Sequence, residues 1–407
     1  MNKKSFDNND NIVIIKNMNV CLRTKNVIVI VHGIIDLICH YINIKTLVKL
    51  CSTSKYLKKY IYNNIKIFIK INDLEIGKIY MKYFSRVELS FSSTDIFKVH
   101  DLSNITNIND LDLHGHEKVF DRHIENLTNL VKLSLSYNEI ITDDGIKFLT
   151  NLVSLNLNNN SKITNYGLKK MTKLIELKIC NQSNITDEAL INLTELKSLE
   201  LDSNIGITNK SIDRLTKLKK LKLMNNNTIF SVEKLSRLIA LHLIGNNLIT
   251  NIDLSYLTKL LHLTLEYNDK ITYDGLIRLP KLISLDISCR NLIVDDDLRD
   301  LTSIERLMLH HNKNITFNGI KNLIKLTELD ISRNEKICDE DLKELINLKS
   351  LHLMNNMMIT NDGIKYLTNL RYLNIIDNKK ITNEITKYLT KLEKIELYMN
   401  YTFNNCD

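Results

Sequence analysis

Eleven histidines and seven cysteines give this 407-residue chain its widest chemical repertoire. His114, His116 and His123 form one group with the composition of a metal site, and His310, His311 and His352 form another. Their spacing argues against that chemistry. The members fall on different repeats or on opposite faces of a strand, and no cysteine or carboxylate completes either set. His242 and His262 stand on neighbouring repeats, but two imidazoles supply half of a zinc site. The cysteines (21, 39, 51, 180, 289, 338 and 406) are odd in number and scattered, which reads as a reduced, cytoplasmic chain without a disulfide framework. Five of the ten glycines (145, 167, 275, 319 and 363) occupy one position of a repeat and read as backbone punctuation, so no phosphate-cradling loop remains. Sequons such as Asn126-Leu-Thr128 are expected by chance in a chain with 52 asparagines. No catalytic residue, metal or cofactor is expected, and the chain does not read as an enzyme.

The elements that position these side chains announce themselves as a repeat. The pattern L-x-x-L-x-L-x-x-N recurs as LVKLSLSYN from Leu130, LVSLNLNNN from Leu152, LLHLTLEYN from Leu260 and LRYLNIIDN from Leu370. Fourteen copies start between residues 108 and 392, with twelve steps of 22 residues and one of 20. A degenerate earlier copy is FSRVELSFS at Phe84–Ser92. Such register requires a repeat architecture.

Spacing also dictates the unit. Leu133 and Leu135, two apart, face one side of a short strand, while Lys132 and Ser134 face the other. One strand per repeat builds a parallel sheet, and fourteen rungs run roughly 65 Å. The ninth position is Asn in eleven of fourteen copies, the exceptions being His116, Gln182 and Arg290. A short amide there satisfies backbone groups where the chain turns inward. The next block, as in IITDDGIKFLTNL, predicts a short helix capped by Thr142 or Asp143, with Ile146 and Leu149 buried. The two-residue shortening between Asn227 and Leu238 predicts an irregular outer face there and an intact inner strand.

These motifs resemble the leucine-rich repeat family over roughly 300 residues. The I-T-D/N-x-G-I/L phrase is most similar to the repeats of F-box leucine-rich proteins, although that subtype has longer units with Cys where this chain has Asn. The resemblance implies an α/β leucine-rich repeat solenoid (a horseshoe) of about 14 repeats of 22 residues.

Residues 28–66 carry helical spacing at Ile34, Ile35, Ile38 and Ile42, then at Leu47, Leu50 and Cys51, then at Leu57, Tyr60 and Ile61. Three short helices in so few residues cannot build an independent core. The segment is similar to the F-box, with GIIDLICHYI, IKTLVKLCSTS and KYLKKYI as its parts. The usual Leu-Pro opening is replaced by Ile30-Val31, and Tyr56 stands where a Trp is usual. The resemblance implies contact with a Skp-type adaptor through Ile34, Ile35, Ile38, Leu47, Leu50 and Tyr56. A plain helical cap of the solenoid is the alternative. The division is therefore an arm (1–27), the F-box-like segment (28–66), a linker and cap (67–107), the repeats (108–400) and a tail (401–407).

Composition closes other routes. With 44% hydrophobic residues and one Pro, the chain is neither disordered nor collagen-like. Residues 1–83 hold 14 Lys+Arg against 5 Asp+Glu, and the other 324 residues hold 41 against 42. The repeats are thus not a basic nucleic-acid binder by net charge, and no nucleic acid is expected. The apolar stretch Val27–Ile44 contains His32, Asp36 and His40, which disfavours a membrane span. What remains is the concave sheet face, where Met308, His310, His352, Met354, Tyr372, Ile376 and Tyr398 gather apolar and aromatic character in the C-terminal third. A smaller group is Met224, Ile244 and Tyr267. The expected function is protein recognition by a monomer. The F-box resemblance makes it the substrate-recognition subunit of a Skp-cullin-F-box ubiquitin ligase, and the alternative is a stand-alone scaffold.

Overall fold

In the computed structural model, the described residues are 67–71, 87–92, 108–116, 119–181, 184–289 and 292–397. They form one sixteen-stranded parallel sheet whose strand order is the sequence order. The first two strands, Ile67–Ile71 and Val87–Ser92, lie before the regular repeats, and the second coincides with the degenerate copy. The register slips between Leu89 and Ser90, where the sheet passes to the strand Ile108–Asp112. From there it is uniform, with Leu111 opposite Leu133 and Leu133 opposite Leu155.

The core is a column of leucines and isoleucines between the sheet and a layer of one-turn helices. Leu135, Ile141, Ile146, Leu149 and Leu152 are all fully buried. Single-turn helices are not stable alone, so their persistence reflects this packing and their caps. Between Asn227 and Leu238 no helix forms, while the strand Ala240–Ile244 keeps its register with Lys220–Met224. The shortened repeat thus loses its outer turn and keeps its inner strand.

Two polar ladders tie the repeats together. In the first, the buried Asn356 donates from Nδ2 to the carbonyls of Ile331 (2.8 Å) and Asn334 (3.0 Å). Its Oδ1 accepts from the N–H groups of Met358 (2.9 Å) and Ile359 (3.0 Å). Asn138, Asn226, Asn246, Asn334 and Asn378 bridge in the same manner. Among the described residues, the one before each ninth repeat position is left-handed, from Gly115 (φ 60°) and Tyr137 (φ 54°) to Asp377 (φ 56°), with a second Gly at 245. That conformation turns the chain sharply so that the amide points inward.

The second ladder caps the helices. Asp121 accepts from Thr142 N–H (2.8 Å) and hydroxyl (2.6 Å), and Asp143 does the same for Thr164 one repeat later. Where the preceding repeat offers Ser231, Tyr273 or Phe317 instead of an acid or amide, the helix supplies its own cap. Asp253, Asp297 and Asp341 accept from Thr250, Val294 and Cys338 at 2.8–2.9 Å. The five repeat-position glycines follow this alternation. None has positive φ; a Cβ on Gly145 would stand 2.5 Å from Asp121 Oδ1, and one on Gly275 the same distance from Asn251 Oδ1. They admit the neighbour's capping side chain and do not punctuate the backbone, which corrects the expectation from sequence.

Candidate partner-binding face

Side chains alternate along each strand, so every rung presents its third, fifth and seventh repeat positions on the open face of the sheet. The fifth position decides whether a side chain takes a backbone donor at the end of the strand. Where it is Asn or Asp, the side chain takes the N–H two residues on: Asn156 from Asn158 (3.1 Å), Asp286 from Ser288 (3.0 Å), Asp330 from Ser332 (2.8 Å) and Asn374 from Ile376 (3.0 Å). Those rungs have three-residue strands. Lys178, Glu200, Lys222 and His242 lack that geometry and lie on five-residue strands, whereas the rungs of Ser134, Thr264, Met308 and His352 lack it and stay three residues long. The side chain competes with the ladder for the same donor.

The predicted patch occupies the short-strand region. Met308 is opposite Asp330, Asp330 is opposite His352, and His352 is opposite Asn374. Met308, His310, His352, Met354, Tyr372 and Ile376 are all half-buried on this face. Tyr398 lies outside the described residues. The His352 and Tyr372 rings sit 5.0 Å apart, and Lys394 Nζ lies 5.3 Å from the Tyr372 centroid. Ser350 Oγ and His352 Nε2 are 3.3 Å apart. Burial, then the hydrogen bond to Glu396, pushes the Tyr372 phenol up to about 12. The phenol is therefore a neutral hydrogen-bonding group at physiological pH. The apolar members do not form one continuous surface, because Asp330 and Ser332 separate the rung of Met308 from that of Met354. In the smaller group, Met224 is paired directly with Ile244. Tyr267, 54% exposed, stands at the left-handed turn beside the face.

Sequence reasoning set His242 beside His262 but did not join Glu266 to Asp286. Glu266 and Asp286 are hydrogen-bonded to each other, and both carboxyls are held above their usual range. Burial is the largest cause for each; the Asp286 charge then raises Glu266, while the Ser288 hydrogen bonds restrain Asp286. Beside them, burial and then Lys220 and Lys222 depress His242 to about 4, and its Nδ1 lies 2.9 Å from Thr264 Oγ1. Aligning the fifth and seventh positions of successive repeats would have shown these neighbours. The histidines considered for metal serve other ends: His123 Nδ1 accepts from Phe120 N–H at 3.0 Å, and His311 occupies a left-handed turn. Among the described residues, no three His, Cys, Asp or Glu side chains are grouped to hold a metal ion. The adaptor-contact residues Ile34, Ile35, Ile38, Leu47, Leu50 and Tyr56 lie outside the described residues.

A leucine-rich repeat family model matches residues 126–149, 322–346 and 344–368. Among solved structures, the chain is similar to an internalin from Listeria monocytogenes, at 30% identity and a TM-score of 0.50, over 75% of this chain and 91% of that one. A leucine-rich repeat protein of Leptospira interrogans is 22% identical (TM-score 0.38), covering 73% of this chain and 97% of that one. Yeast Rad7, solved in complex with Elc1, is 16% identical (TM-score 0.47), covering 87% and 90%. No curated protein matches the chain.

Proposed function

Because this chain belongs to the leucine-rich repeat family, we propose that it is a protein–protein interaction module that holds a protein target on the open face of its sheet. The observation that carries this reading is the half-buried set Met308, Met354, Tyr372 and Ile376 in the C-terminal third of a face whose other positions are mostly polar. Met and aromatic residues are enriched where proteins meet, and buried aromatic anchors dominate binding energy. Fixed by the two ladders, the face binds with little ordering cost. In this reading the protein performs no covalent chemistry of its own and works in the cytoplasm. Among the described residues, no helix is long and apolar enough to cross a membrane.

The finer assignment is a substrate receptor of a Skp-cullin-F-box ubiquitin ligase. Its support is the resemblance of residues 28–66 to the F-box, joined to a solenoid that presents a target. The test is a pull-down of the full chain with a purified Skp-type adaptor. Saturable binding that Leu50→Asp abolishes, with the repeats still folded by circular dichroism, upholds the assignment. No binding at tens of micromolar by the folded chain leaves a stand-alone scaffold whose N-terminal helices cap the solenoid.

A further inference from the structure

The near-neutral charge of the repeats hides a sorted surface. In the thirteen repeats beginning at Leu130 to Leu392, the two residues flanking the first apolar position stand where the chain enters the strand. These 26 residues hold 11 Lys or Arg and 3 Glu, a net charge of 11 − 3 = +8. In the first half they include Lys173, Lys197, Lys217, Lys219, Arg237 and Lys259. The second half continues with Lys281, Lys325, Lys349, Arg371 and Lys391, and all eleven except Lys217 are exposed. Only Lys217, with Glu195 at 2.5 Å, and Arg371, with Glu393 at 2.7 Å, have a carboxylate partner among the described residues. The other nine cations are unneutralised along one edge.

The C-terminal end of this edge is hollowed into a groove of about 520 Å³, lined by Lys325, Lys349, Arg371 and Lys391, with Glu305 as its acid. Ile324, 73% exposed, also lines it. Ile346, 54% exposed, sits one repeat along. Their repeat position is Thr in nine of the other repeats, as at Thr302 and Thr368, so two adjacent repeats have exchanged a polar residue for a large apolar one in open solvent. Fixed side chains shape the floor. Asn347 donates to Ile324 carbonyl (3.3 Å), Asn369 to Ile346 carbonyl (3.0 Å), and Lys391 to Asn369 Oδ1 (2.8 Å).

We propose that this basic edge docks an extended acidic segment of a partner protein, which seats an apolar side chain against Ile324 in the groove. From Lys173 to Lys391 the edge runs eleven rungs, about 48 Å over ten parallel-strand spacings, which an extended chain of about 15 residues spans. A row of unpaired cations favours a partner with distributed negative charge and speeds its association. A protein partner fits better than a single-stranded nucleic acid. The flanking positions and the Ile324 position contain no aromatic side chain on which bases could stack, whereas the isoleucines suit an apolar residue. The site is separate from the sheet face, so it stands whether or not that face binds a target.

The test uses the full chain and a fluorescent peptide of about 15 residues, mostly Glu with one central Leu, read by anisotropy at two salt concentrations. The expected result is saturable binding weakened by salt and by roughly tenfold or more in K325E/K349E/R371E. Ile324→Ser should weaken it several-fold. K147E/K365E, on the helix side, and Tyr372→Ala, on the sheet face, should leave it unchanged. All substitutions are at exposed or half-exposed positions, and circular dichroism checks each fold. Three results would overturn the proposal: no saturable binding, tighter binding of oligouridylate of the same length than of the peptide, or self-association of the wild-type chain that the triple reversal abolishes.

Discussion

Asp121 Oδ1 stands 2.5 Å from the point a Cβ on Gly145 would occupy, and the same carboxylate caps Thr142 of the following repeat. Glycine at 145 and acid at 121 are therefore one device divided between two repeats. Asp253, Asp297 and Asp341 show the alternative, in which the acid moves to the glycine's position and caps its own helix.

That relationship predicts a swap. Asp121→Ala alone loses both bonds to Thr142 and should cost about 1–2 kcal/mol. Gly145→Asp alone brings a second carboxylate against the first and should cost at least as much. The double variant recreates the arrangement at Asp297 and should recover most of the loss. Chemical denaturation of the four proteins measures the coupling, and strict additivity would contradict the account.

The asparagine ladder predicts a larger effect. Asn356 makes four hydrogen bonds while fully buried, so Asn356→Ala leaves two carbonyls and two N–H groups without that partner. The expected loss is on the order of 3 kcal/mol. In a solenoid, where each repeat leans on its neighbours, hydrogen exchange should rise first in the repeats beside it.

Left-handed residues predict a gain. Arg333 is exposed at φ 54°. Relief of about 1–2 kcal/mol of left-handed strain exceeds glycine's extra chain entropy of roughly 0.5–1 kcal/mol. Arg333→Gly should raise the melting temperature slightly, and a drop would show that the side chain supports the turn.

Two groups on the sheet face predict opposite pH trends. Asp286 is held above its ordinary range, so its ionisation weakens the fold at neutral pH and protonation on acidification relieves it. Asp286→Asn retains an acceptor for Ser288 and should melt higher at pH 7, with the advantage shrinking as pH falls. His242 is depressed to about 4, so its contribution is present above pH 6.5 and is lost as pH falls toward 4. His242→Gln should flatten that part of the melting profile.

Legibility followed periodicity. Buried Leu and Asn columns repeat in residue type, so strands, core and amide ladder could be read from spacing alone. The left-handed turn could not, because Tyr137, Ser203, Cys289, His311 and Arg333 share a backbone and no side-chain chemistry. The glycines were seen, but their reason depends on a side chain 24 residues earlier. Six of the seven patch residues share one face of the sheet, and its division by Asp330 and Ser332 appears only when rungs are set side by side. Net charge concealed the basic edge for the same reason.

The central claim is that the sheet face holds a protein target, and site-specific photo-cross-linking tests it most directly. A photoreactive residue at Met354 should give a discrete protein adduct in cells, lost when Tyr372→Asp is added. The same group at Lys170, on the helix side, should give none. Adducts of equal yield from both positions, or an adduct at 354 indifferent to Tyr372→Asp, would contradict the account.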